Sequence, residues 1–88
     1  MFRMWGKCMK DNRLIRDTVI IDGDYNKSRT AMVLDALTGI CGRFDLAEPI
    51  WLKSNIGDFQ LHNKTRFGQD NFIEQLDFDY LEIEVIEE

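Results

Sequence analysis

The chain has 88 residues, 44% of them hydrophobic and 31% charged, with a formal net charge of -5. That is enough for one hydrophobic core and excludes a two-domain enzyme. The apolar content excludes a disordered chain, and no run of 18 apolar residues is present to span a bilayer. The charge is unevenly spread. Residues 1–69 hold all 11 Lys and Arg against 8 acids, a net of +3, whereas residues 70–88 hold the other 8 acids and no base, a net of -8.

Met1 to Lys10 has Arg3, Lys7 and Lys10 threaded through its apolar residues, so it offers no signal-peptide core, and a cytoplasmic location is expected. Cys8 and Cys41 stand alone, with no CxxC pair and a single histidine, His62, to complete a metal site. They read as reduced, buried thiols. No metal and no cofactor is expected.

From Phe2 to Lys10, Phe2, Met4 and Cys8 alternate with Arg3, Trp5, Lys7 and Met9, which predicts a strand with an apolar and a basic face. Asp11, Asn12 and Arg13 supply turn residues. Leu14 to Asp22 is rich in Ile, Val and Thr and predicts the second strand of an antiparallel hairpin, broken at Gly23–Asn26.

Between Ser28 and Gly42, the residues Val33, Leu34, Leu37, Ile40 and Cys41, followed by Phe44, recur at spacings of three and four and predict an amphipathic helix. Asn26 or Ser28 is positioned to cap its start, and Gly42 to end it in the left-handed conformation. Gly39, inside the pattern, costs about 1 kcal/mol relative to Ala.

Pro49-Ile50-Trp51-Leu52 reads as a short core segment, as either strand or buried loop. Asn55 with Asp58 makes a weak capping-box variant for a short second helix running to about His62. Lys64 to Asp70 reads as irregular, and Asn71 to Gln75 as a further helical turn. From Phe78 to Ile86, Leu81, Ile83 and Val85 alternate with Tyr80, Glu82 and Glu84 and predict the C-terminal strand. The fold class is therefore α+β over residues 1–88. It comprises an N-terminal β-hairpin, one main amphipathic helix, a second short helix and a C-terminal strand, in a mostly antiparallel sheet with helices on one face.

Three constellations carry chemistry-bearing groups. Asp22 and Asp24 in Ile20-Ile21-Asp22-Gly23-Asp24-Tyr25-Asn26 are similar in spelling to the metal-binding acids of PIN-type nucleases. Such a site needs further acids from a parallel sheet. An EF-hand loop fails because Lys27 and Val33 occupy its glycine and glutamate positions, so these carboxylates read as turn and cap formers. His62, Lys64, Arg66 and Asp70 concentrate proton-transfer and anion-binding groups in nine residues. The bland counterpart is a solvated loop in which Arg66 pairs with Asp70 or with the acidic C-terminal region.

The third constellation is Arg3, Trp5 and Lys7 on one strand face with Arg16 on the next, a pattern suited to single-stranded nucleic acid. If the C-terminal strand lies beside the hairpin, Glu82, Glu84 and Tyr80 instead come opposite Arg3, Trp5 and Lys7 and neutralise them. Pairing of this kind is the expectation.

Four stretches, Phe2-Arg3-Met4-Trp5-Gly6-Lys7, Pro49-Ile50-Trp51-Leu52, Lys64-Thr65-Arg66-Phe67 and Asp77-Phe78-Asp79-Tyr80-Leu81-Glu82-Ile83, together resemble a small family of uncharacterised bacterial proteins. The resemblance implies a bacterial cytosolic origin and carries no catalytic motif. The leading expectation is a non-enzymatic protein-interaction or regulatory domain whose partner is another protein or a second copy of itself. Its contact residues are expected around the aromatics Trp51, Phe59 and Phe67 and the polar groups His62, Lys64, Arg66 and Asp70. The alternatives are a nucleic-acid module using Arg3, Trp5, Lys7 and Arg16 or Lys64 and Arg66, and a small enzyme centred on His62, Arg66 and Asp70.

Overall fold

A computed structural model describes all 88 residues. In chain order it contains β1 (Phe2–Lys10), β2 (Arg13–Asp22), α1 (Arg29–Arg43), α2 (Lys53–His62), β3 (Lys64–Phe67), a 3-10 turn (Gln69–Asn71) and β4 (Tyr80–Glu87). The strands form one four-stranded antiparallel sheet in the order β2-β1-β4-β3. The α+β class, the hairpin, the two helices and the C-terminal strand are as the sequence predicts. No helix is long and apolar enough to cross a membrane.

Asp11 and Asn12 close the hairpin, both with positive φ (52° and 63°). This is the backbone geometry of the tight turn that matches strand twist. β1 then alternates as its pattern dictates. Phe2, Met4 and Cys8 are buried in one cluster with Leu81 and Ile83 of β4 and Val33, Ala36, Leu37, Ile40 and Cys41 of α1. Gly6 lies in the same row, and a Cβ built there would stand 2.6 Å from Ile40 Cγ2. The missing side chain is what lets α1 approach the sheet. Gly39 has a similar role on the helix side, where a Cβ would meet Ile20 Cδ1 at 3.1 Å.

Ser28 caps α1 by accepting the Ala31 N–H at 3.1 Å. The end of the helix differs from expectation. It runs to Arg43 with Phe44 as its cap, and the left-handed residue is Asp45 (φ 56°), not Gly42. Leu34 also leaves the predicted stripe: Val33, Ala36, Leu37, Ile40 and Cys41 face the sheet, while Leu34 is 46% exposed.

Three further expectations are corrected. Residues 49–52 take the loop form of the two alternatives, but Ile50 and Leu52 are exposed rather than core, and the fourth strand is β3, inside the stretch read as irregular. Its burial alternates, with Thr65 and Phe67 in and Lys64 and Arg66 out. α2 begins at Lys53, so Asn55 sits inside its first turn rather than at its start. The turn expected over Asn71–Gln75 lies earlier, at Gln69–Asn71.

Candidate functional site

Both helices pack on one face of the sheet, α1 over β1 and β2 and α2 against β3, which leaves the other face bare. On that bare face β1 lies beside β4, with Lys7 opposite Glu82, Trp5 opposite Glu84 and Arg3 opposite Glu87. The basic and acidic regions of the sequence therefore meet as neighbours. Lys7 Nζ lies 2.7 Å from Glu82 Oε2, Arg66 Nε donates to Glu82 Oε1 at 2.9 Å, and Arg3 Nε to Glu87 at 2.8 Å. Lys7 also sits 4.0 Å over the Trp5 ring, and Arg66 4.6 Å over Tyr80. Trp5 Nε1 donates to Asp17 at 2.8 Å. Each aromatic face that a base would stack on thus already carries a cation.

Arg16 does not belong to that face. It pairs in register with buried Cys8 and lies over the rings of Phe44 and Phe78 at 5.2 and 5.7 Å, on the helix side of the sheet. A bulge between Cys8 and Met9, with Ile15 unpaired in β2, shifts the register near the turn.

The Asp22–Asp24 segment is a helix-approach turn. Asp22 accepts from the Asp24 N–H at 2.8 Å and from Lys27 Nζ at 2.9 Å, and Asp24 accepts from the Asn26 N–H at 3.1 Å. The Asp24 amide and then Lys27 hold the Asp22 carboxyl below the usual range. Nowhere do three or more His, Cys, Asp or Glu side chains gather as metal ligands.

Two hollows flank α2. Along the β3 edge, Asp58 and His62, one turn apart, join Lys64, Thr65, Arg66 and Glu82 around a volume of about 330 Å³. Three of the sequence candidates, His62, Lys64 and Arg66, therefore come together, while Asp70 lies in the 3-10 turn and takes no part. Lys64 and Arg66 against Asp58 and Glu82 leave this hollow without net charge, and no hydrogen bond fixes the His62 ring. A general base needs such a fixing partner. Arg66 pairs with the acidic C-terminal strand, as expected.

The second hollow, between α1 and α2, is apolar. Thr30, Val33 and Leu34 of α1 face Ile56, Phe59 and Gln60 of α2 across about 360 Å³, with Trp51 and Arg29 completing its walls. Leu34 and Ile56 are each 46% exposed, and Ile50 and Leu52, the chain neighbours of Trp51, are exposed as well. Arg29 is anchored at the rim by Glu88 (2.7 Å) and the Asn63 side chain (2.8 Å), and lies 5.5 Å over the Phe59 ring.

Of the three aromatics expected at the surface, only Trp51 keeps part of its surface open, and it is itself partly buried. Phe59 and Phe67 are buried, because Trp51 meets both edge-on at centroid distances of 5.7 and 5.0 Å and covers them.

Two buried amides hold the Trp51 segment. Asn71 accepts the Ile50 N–H on its own backbone carbonyl (2.7 Å) and donates its side-chain N–H to the Ile50 carbonyl (2.8 Å). Asn55 Oδ1 accepts the Leu52 N–H at 3.0 Å. Both peptide neighbours of Trp51 are thereby clamped. Sequence reasoning missed Val33, Leu34 and Ile56 as groove residues and Asn55 and Asn71 as its supports.

Comparison with known protein families, curated proteins and solved structures finds no match to this chain.

Proposed function

We propose that this chain is a small non-enzymatic interaction domain of the bacterial cytosol that binds a partner protein through the apolar groove between α1 and α2. The observation that carries the reading is Trp51, partly buried with its remaining surface lining an open apolar groove, and clamped through both of its neighbours. Rigid aromatic anchors in desolvating pockets dominate the energetics of protein interfaces, and contiguous exposed apolar surface marks them. A partner segment inserting one or two apolar side chains would cover Leu34 and Ile56, and Arg29 offers a charged rim. The paired cations of the bare sheet face favour this reading over a nucleic-acid one.

Selection of peptides from a random display library against the whole chain tests it. Selected sequences should carry apolar anchors and bind the wild type in calorimetry, and Leu34→Asp and Ile56→Asp should each abolish binding. Both sites are exposed, so both variants should fold. Selected peptides that bind the two variants as well as the wild type would contradict the proposal.

A further inference from the structure

The sheet has one protected and one open edge. β3 at one end is four residues long and α2 packs against it. β2 at the other end is ten residues long, contains neither Gly nor Pro, and has β1 on one side and no strand on the other. Such an edge is a template for strand addition unless something blunts it. Here one side chain reaches it: Arg43 Nη1 donates to the Val19 carbonyl (3.1 Å) and to Thr18 Oγ1 (2.6 Å). Leu14, Ile15 and Ile21 stay about half exposed (47%, 49% and 53%).

The charges along this edge specify the occupant. Its start is basic, with Arg13 and Arg16, and its end is acidic, with Asp22 and Asp24. Arg13 and Asp24 enter none of the ion pairs of the molecule, although eight are formed elsewhere. Both are exposed, and the Asp24 side chain accepts only the Asn26 N–H.

We infer that β2 pairs antiparallel with β2 of a second copy of this chain, forming a two-fold dimer with a continuous eight-stranded sheet. Pairing about Thr18 sets Ile15 opposite Ile21 of the second copy and Arg13 against its Gly23–Asp24 turn, and Arg43 must release the Val19 carbonyl at the centre of that register. The symmetry makes each contact twice. A two-fold antiparallel arrangement is the one in which a strand basic at its start and acidic at its end complements itself. The inference is independent of the groove, which lies between the two helices.

Sedimentation equilibrium of the whole chain from 10 µM to about 1 mM, at low and high salt, tests it. The wild type should form a dimer that weakens with salt. Arg13→Glu and Asp24→Lys should each raise the dissociation constant about tenfold, because two attractive pairs per dimer become repulsive. The double variant Arg13→Glu/Asp24→Lys should restore it, since the pairs re-form with reversed sign. Leu34→Asp, in the groove, should leave it unchanged. A wild type that stays monomeric throughout, a dimer indifferent to either single reversal, or a double variant weaker than both singles would overturn the inference. Circular dichroism should show the same fold in every variant, because neither Arg13 nor Asp24 has an ion-pair partner within the chain.

Discussion

Asn71 donates its side-chain N–H to Asn55 Oδ1 across 2.7 Å, and both amides are buried. Asn55 in turn donates to Thr65 Oγ1 (3.0 Å) and the Arg66 carbonyl (2.8 Å), and Asn71 Oδ1 accepts the Gly68 N–H (3.0 Å). This pair ties the Trp51 segment, α2, β3 and the 3-10 turn together, and no buried side-chain polar atom in the molecule lacks a partner. Fully satisfied buried networks rigidify what they connect.

Replacing Asn55 by Ala would strand the Leu52 N–H and leave the Arg66 carbonyl and one N–H of the Asn71 amide without the partner that Asn55 supplies. We expect Asn55→Ala to lower the unfolding free energy by about 3 kcal/mol in urea titrations. Below the transition, Trp51 emission should shift to the red as its segment loosens. A loss under 1 kcal/mol would mean that the amides are replaceable by water.

Gly6 and Ile40 set the distance between α1 and the sheet. Gly6→Ala should destabilise by about 2 kcal/mol, because Ile40 is fully buried and the new methyl has no room. The same change should cost much less in an Ile40→Ala background. A double-mutant cycle measures this coupling, and additive effects would refute the close approach.

Glu82 binds both Lys7 and Arg66. Burial alone would raise its carboxyl, but hydrogen bonds from Lys7 and Arg66 outweigh burial and hold it below the usual range. A folded value below the unfolded one of about 4.3 stabilises the fold fully above that pH, and the contribution is lost as pH falls through the folded value. Urea midpoints should therefore decline below about pH 4.5, and Glu82→Gln should flatten that decline while lowering stability at pH 7 by about 2 kcal/mol. An unchanged acid slope in Glu82→Gln would remove Glu82 from the account.

Burial, then the carboxylate of Glu48 and the neighbouring Cys8 thiol, push the Cys41 thiol up to about 12. Burial raises Cys8 too, against the opposing effect of Arg16. Since the thiolate is the reactive form, neither cysteine of the native chain should be alkylated by iodoacetamide at pH 8, and both should be alkylated in urea. Mass spectrometry counts the adducts, and rapid native labelling of Cys41 would contradict its place in the core.

The sheet order was legible because alternation of period two assigns Trp5 and Lys7, and Glu82 and Glu84, to one face each. The surplus charges of those faces then call for each other. β3 was not legible: only Thr65 and Phe67 mark its inner face, and four residues, two of them charged, carry too short a pattern. Asn55 and Asn71 were not legible because a buried amide is spelled like a surface one. Only the tertiary placement of the Ile50 carbonyl and the Thr65 hydroxyl distinguishes them. The groove escaped for a related reason. Leu34 reads as part of the core stripe, and only the position of α2 shows that it turns outward. Phe59 and Phe67 read as surface anchors because nothing in the sequence places Trp51 over them.

The groove beside Trp51 is proposed to hold a partner segment. The most direct test is a two-dimensional amide and indole NMR titration of the labelled chain with a peptide selected against it. Shifts confined to Thr30, Leu34, Ile56, Gln60 and the Trp51 indole, saturating together, are expected. Shifts centred on Arg3, Lys7 and Glu84 of the bare sheet face, with the groove signals unmoved, would contradict it.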